Sequence, residues 1–66
     1  MFKYNINLIE NYLASEKISK TEFCRRSGIS LYTLNEIYKN SKRINLIYIV
    51  KIVKFLSIKL KDFVQF

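Results

Sequence analysis

Two helix starts stand eleven residues apart, and the only glycine of the chain lies between them. Ser19-Lys20-Thr21-Glu22 fits a capping box: a serine oxygen takes a free amide of the first turn, and Glu22 reaches back. Ser30 is a second cap candidate, two residues after Gly28. Gly28 stands where a helix ends in a left-handed residue. The stretch therefore reads as a helix from Ser19, a tight turn, and a second helix over about Leu31 to Lys39. Phe23 points inward from the first helix and Arg25-Arg26 outward. In the second, Leu34, Ile37 and Tyr38 form the buried stripe, with Tyr32, Asn35, Glu36 and Lys39 opposite.

The rest of the chain also reads as short helices. Ile6, Ile9 and Leu13, with Tyr12 alongside, make one helical face over about Asn5 to Ser15. Asn40-Ser41-Lys42-Arg43 is a polar, basic loop. Asn45 caps a fourth helix, Leu46 to Leu56. Its β-branched runs would suit a strand, but Ile49, Ile52, Val53 and Leu56 repeat at three and four. A last helix runs from Leu60 to about Val64. The core reading is Phe23, Leu34, Ile37, Ile49, Ile52 and Leu56. These five helices predict one all-α domain over residues 1–66, near the size at which a lone core only just suffices.

Twelve Lys or Arg against five Asp or Glu give a formal charge of +7. Ile, Lys, Asn, Tyr and Phe, all with A/T-rich codons, supply 35 of the 66 residues, so some lysines follow from codon usage. Acids remain few although the common Glu codon is also A-rich. The balance points to nucleic acid first and an anionic membrane surface second. No His and one Cys leave nothing for a His/Cys zinc site or a Ser–His–Asp arrangement. No internal disulfide can form, which fits a reducing, cytoplasmic setting. No apolar run is long enough to span a bilayer. Lys3, Asn5, Asn7 and Glu10 interrupt the first residues, which argues against a signal peptide.

Two helices of about eight residues joined by Gly28-Ile29-Ser30 have the length and turn chemistry of a helix-turn-helix, whose second helix enters the DNA major groove. The chain resembles the lambda-repressor-like family, the Cro and C1 type also called the XRE family. Residues 18–30 resemble its Leu-Ser-Gln-x-Glu-Leu-Ala pattern followed by Gly and a Ser/Thr cap. Residues 34–40 resemble the end of its recognition helix, and residues 49–58 its Leu-x-x-Ile-Ala-x-x-Leu-Gly-Val close. Three departures stand out: Lys20 replaces the usual Gln, Asn40 the usual Gly, and larger residues including Val53 and Phe55 the usual Ala. Asn tolerates the left-handed conformation, and the larger residues imply heavier packing of the last two helices.

The resemblance places groove contacts at Leu31, Tyr32 and Glu36, with Thr33 and Asn35 as neighbours. Leu31 would pack on a thymine methyl, Tyr32 would do so or donate its hydroxyl, and Glu36 would accept from a cytosine amino group. The competing description is a plain solvated helix face. Lys20, Ser30, Lys39, Asn40, Ser41, Lys42 and Arg43 are the phosphate candidates: Lys20 and Ser30 stand at helix starts, and the others follow the recognition helix, where the strand passes in this family. Arg25 and Arg26 read as solvating. Cys24 takes the place of a small buried Ala. Ile47, Tyr48, Val50, Phe55, Phe63, Val64 and Phe66 are more apolar groups than a monomer of this size is expected to bury. Phe55, Phe63, Val64 and Phe66 are accordingly the candidates for a homodimer interface.

The function expected is sequence-specific binding of double-stranded DNA by a transcriptional regulator, a repressor acting as a homodimer. Its two recognition helices would lie about 34 Å apart on a near-palindromic operator. No cofactor, metal or membrane is called for. The alternative is an antitoxin-like or antirepressor-like protein-interaction module using the same fold. A basic amphipathic membrane-surface peptide is a third class, against which the caps at Ser19, Ser30 and Asn45 argue. No constellation of catalytic groups is available for an enzyme.

Overall fold

The ends of the helices decide the architecture. The computed structural model describes residues 3–65. It contains helices α1 (Ile6–Glu16), α2 (Lys20–Ser27), α3 (Leu31–Tyr38), α4 (Leu46–Leu56) and α5 (Leu60–Phe63). Three starts are capped by side chains. Ser19 Oγ accepts the Glu22 N–H at 3.2 Å, Ser30 Oγ the Thr33 N–H at 3.1 Å, and Asn45 Oδ1 the Ile47 N–H at 3.0 Å. Four helices stop in the same way, through a residue in the left-handed region: Lys17, Gly28, Asn40 and Ser57, with φ of 54°, 80°, 55° and 57°. The next residue then donates its N–H back five positions, from Ile18 to Leu13, Ile29 to Cys24, Ser41 to Glu36 and Ile58 to Val53. This is the Schellman closure. A Cβ at residue 28 would meet no atom within 4 Å, so φ, not space, makes glycine suit that turn.

The all-α reading holds, and α4 is a helix throughout its β-branched run. One feature was not expected. Strands β1 (Lys3–Tyr4) and β2 (Val64–Gln65) pair antiparallel, Lys3 opposite Gln65 and Tyr4 opposite Val64. The Asn5 N–H extends the junction to the Phe63 carbonyl at 2.7 Å.

The core takes side chains from every helix: Ile9 and Leu13 from α1, Phe23 and Cys24 from α2, Leu34 and Ile37 from α3, Ile49, Ile52 and Val53 from α4, and Phe63 from α5. Fully burying one such side chain contributes about 1.5–3 kcal/mol. Of the expected core, Phe23, Leu34, Ile37, Ile49 and Ile52 are buried, whereas Leu56 and Tyr38 are only partly so. Tyr12, Phe23 and Phe55 meet edge-on, with centroids 5.3 to 5.8 Å apart. The aromatic quadrupole favours that geometry.

Two of the interface candidates are corrected here. Phe63 has 0 % and Val64 7 % of its surface exposed, so both belong to the core of the single chain. Phe63 also packs on Tyr4, ring to ring at 5.8 Å. The β1–β2 ladder brings the two segments together and covers them, and nothing local in the sequence announces that pairing. Phe55 is half-buried within the aromatic trio. Phe66 lies outside the described residues. The apolar surface that does remain open is Leu46, Ile47 and Leu60, together with Leu31 and Tyr32.

Candidate nucleic-acid interface

α2 and α3 are joined by only three residues, and the closure at Gly28 followed by the Ser30 cap fixes the step between them. The first turn of α3 therefore emerges at a set angle, with Leu31 43 % and Tyr32 74 % exposed. Two large, adjacent side chains are thus held in water at the tip of a rigid helix. Behind them the α3 stripe of Leu34 and Ile37 is fully buried, which prevents the helix from rolling to hide the tip.

An open cleft of about 350 Å³ runs along this helix. Ser30, Tyr32, Thr33 and Glu36 form one wall, and Arg43, Ile44, Asn45 and Tyr48 the other. It brings together five of the residues expected to touch DNA. Ser30 and Thr33 are partly engaged with each other, their hydroxyls 2.9 Å apart within the cap. Glu36 is partly covered and faces Lys39 at 3.7 Å. Leu31 and Asn35 are exposed on the same helix but do not line the cleft.

The phosphate candidates fall into separate places. Lys42 and Arg43 are exposed on the loop. Ser41 Oγ accepts the Arg43 N–H at 3.2 Å and so shapes that loop. Asn40 is already employed, since its side-chain carbonyl accepts the Tyr4 N–H at 3.0 Å. Lys20, at the start of α2, lies over the Tyr38 ring with its ammonium 4.1 Å from the centroid.

The charges of α2 beyond Lys20 are paired within the chain. Glu22 does not complete the capping box; its carboxylate is gripped by Arg25 and Arg26. These bonds favour the ionised form and hold the Glu22 carboxyl down to about 2. Arg26 also reaches Glu16 at 3.7 Å. The two arginines are therefore more tied down than a merely solvated reading implies. Burial pushes the Cys24 thiol up, in keeping with a packing role.

Four residues near the site were not singled out for it from the sequence. Ile44, Asn45 and Tyr48 line the cleft, although Asn45 was legible as a cap. Lys51 donates to the Gly28 carbonyl at 3.3 Å across 23 residues, and its ammonium lies 5.7 Å from the centroid of the Tyr48 ring. It ties α4 to the turn between α2 and α3, a link without a local sequence signal.

A capped, immobilised second helix, an exposed tip, a groove beside it and exposed cations on the adjoining loop make a surface for a polyanion with a readable edge. The profile of the Cro/C1-type HTH DNA-binding domain matches residues 8–66. The chain belongs to that family. The match takes in all of α2, α3 and α4 of this Cro/C1-type domain. No curated protein matches the chain. Among the described residues no group of His, Cys, Asp or Glu could hold a metal ion, and no helix is long and apolar enough to cross a membrane.

Proposed function

We propose that the chain is a sequence-specific regulator of transcription that represses by occupying its operator as a homodimer. The observation that carries the sequence-specific part is the exposed pair Leu31 and Tyr32 at the capped tip of α3. Apolar side chains kept in water on a rigid helix need a partner, and the thymine methyl and base edges of the major groove supply one. In this reading Tyr32, Leu31, Thr33, Asn35 and Glu36 meet bases. Lys20, Ser30, Lys39, Lys42 and Arg43 meet phosphates, which position the domain and supply most of the affinity. Asn40 and Ser41 contribute by shaping the loop rather than by touching the strand.

Repression rests on analogy with the family: a domain seated on its operator blocks polymerase by occupancy. A homodimer would place two recognition helices one helical turn apart. Its interface is drawn away from Phe63 and Val64, and Leu60, 40 % exposed at the start of α5, is the apolar side chain left open there.

The test is selection of bound duplexes from a random DNA pool at near-physiological salt. Enrichment of a near-palindrome with half-sites one turn apart supports the whole reading. An enriched single half-site removes the dimer. No enrichment, with binding that vanishes as salt rises, removes sequence-specific regulation and brings the protein-interaction module forward.

A further inference from the structure

Arg25, Arg26 and Lys39 each face a carboxylate, Glu22 or Glu36. Lys20 is held differently. Its ammonium stands 4.1 Å above the Tyr38 ring, well inside the range at which an aromatic face attracts a cation. Among the described residues it makes no ion pair. A ring quadrupole orients a cation without cancelling its charge, so Lys20 is placed and still carries its full charge. A free lysine side chain gives up rotamer freedom when it settles on a phosphate. One already settled on a ring gives up less.

The ring itself is well anchored. Tyr38 is the last residue of α3, packed against the core, with its hydroxyl buried. Burial, and then the neighbouring Glu10 carboxylate, push its phenol far above the ordinary tyrosine value, so the ring stays neutral at any working pH. Lys39 and the basic loop follow directly in the chain. The start of α2 is thereby fastened to the end of the recognition helix by a contact whose outer side faces solvent, since Lys20 is exposed.

We propose that Tyr38 is a positioning residue for DNA binding, its ring holding the Lys20 ammonium where a backbone phosphate meets it. The inference rests on the DNA-binding reading above and names one device within it.

The test uses the full chain, a selected duplex, and a random-sequence duplex of equal length, titrated over a range of salt. Lys20→Met weakens both duplexes and flattens the dependence of log affinity on log salt by about 0.9, the share of one phosphate. Tyr38→Leu weakens both by about two- to fivefold, the worth of an exposed cation–ring contact, and flattens the same slope. Tyr38→Phe restores binding. In the Lys20→Met background, Tyr38→Leu has no further effect. Fluorinated phenylalanines at position 38 keep the packing and drain the ring face; affinity then falls with each fluorine only when Lys20 is present. That series decides the matter if Tyr38→Leu fails to fold.

An affinity unmoved by fluorination, an unchanged salt slope in Tyr38→Leu, or additive losses in the double variant would each overturn the proposal. So would a Lys20→Met variant that binds like the parent, while parental binding to the selected duplex would leave the function itself standing. Failure of the parent chain to bind either duplex would instead sink the functional reading.

Discussion

The Asn40 side-chain carbonyl accepts the backbone N–H of Tyr4 at 3.0 Å, joining the end of α3 to a strand 36 residues earlier. Asn40 also carries a φ of 55°, so one residue serves both the turn and the tie. The two roles separate by substitution. Asn40→Gly keeps the turn and loses the bond, at a cost of about 1 kcal/mol. Asn40→Ala loses both and adds about 1–2 kcal/mol for a left-handed alanine. Urea unfolding of the two variants should rank Ala below Gly; equal losses would show that the turn geometry carries no cost.

Base reading and phosphate anchoring should come apart in the same manner. Tyr32→Ala is expected to flatten the preference for a selected duplex over a random one, by about 1–3 kcal/mol of discrimination. Lys42→Ala should weaken both duplexes alike and reduce the salt slope by about 0.9. Competition binding at two salt concentrations reads both effects. A Tyr32→Ala protein with its preference intact would remove the tip of α3 from the base-reading surface.

Glu22 gives the fold an acid-side weakness. Bonds from Arg25 and Arg26 hold its carboxyl at about 2, below the ordinary carboxylate value of about 4.3. The folded state therefore binds this proton less readily than the unfolded chain. Its contribution is fully present above about pH 4.3 and is lost as pH falls toward 2. Melting temperatures across pH 2 to 7 should show the parent slightly above Glu22→Gln at neutral pH, because solvent screens an exposed cluster, with the gap closing between about 4 and 2. A gap that stays constant over that range would mean that the arginines hold Glu22 no better than water does.

Phe63 tests whether the last helix belongs to the monomer or to an interface. Phe63→Ala removes a fully buried ring, worth about 3–5 kcal/mol, from a domain whose whole stability is roughly 3–10 kcal/mol. Urea unfolding followed by circular dichroism should show the midpoint strongly lowered, by the same amount at every protein concentration. A variant that stays folded and merely ceases to self-associate would return Phe63 to the interface.

Much of this was legible because helix starts are written locally. Ser19, Ser30 and Asn45 cap as their side chains require, and the three-and-four spacing of Ile49, Ile52 and Leu56 outweighed the strand-like run around them. Helix ends were harder to read. Four helices close through a left-handed residue; Gly28 and Asn40 advertise it, while Lys17 and Ser57 do the same without a local signal. What could not be read was contact across the chain. The β1–β2 pairing turned Phe63 and Val64 from surplus into core. The second wall of the cleft, Ile44, Asn45 and Tyr48, exists only because α4 folds back beside α3. The fate of Glu22 was a choice between two local partners, and two guanidinium groups within one turn outcompeted a backbone amide.

The pairing of Lys3–Tyr4 with Val64–Gln65 also bears on how the protein is made. A chain grown from its amino end produces the whole helix-turn-helix before it has any partner for its first strand or the ring that fills the space beside Tyr4. Such distant contacts bring no stability until the intervening chain is closed into a loop. Helix α3 can form early, but its footing is incomplete until residue 63 has left the ribosome. Competence to bind then waits on those residues, so that products truncated before them should be removed by proteases rather than persist as DNA-binding domains.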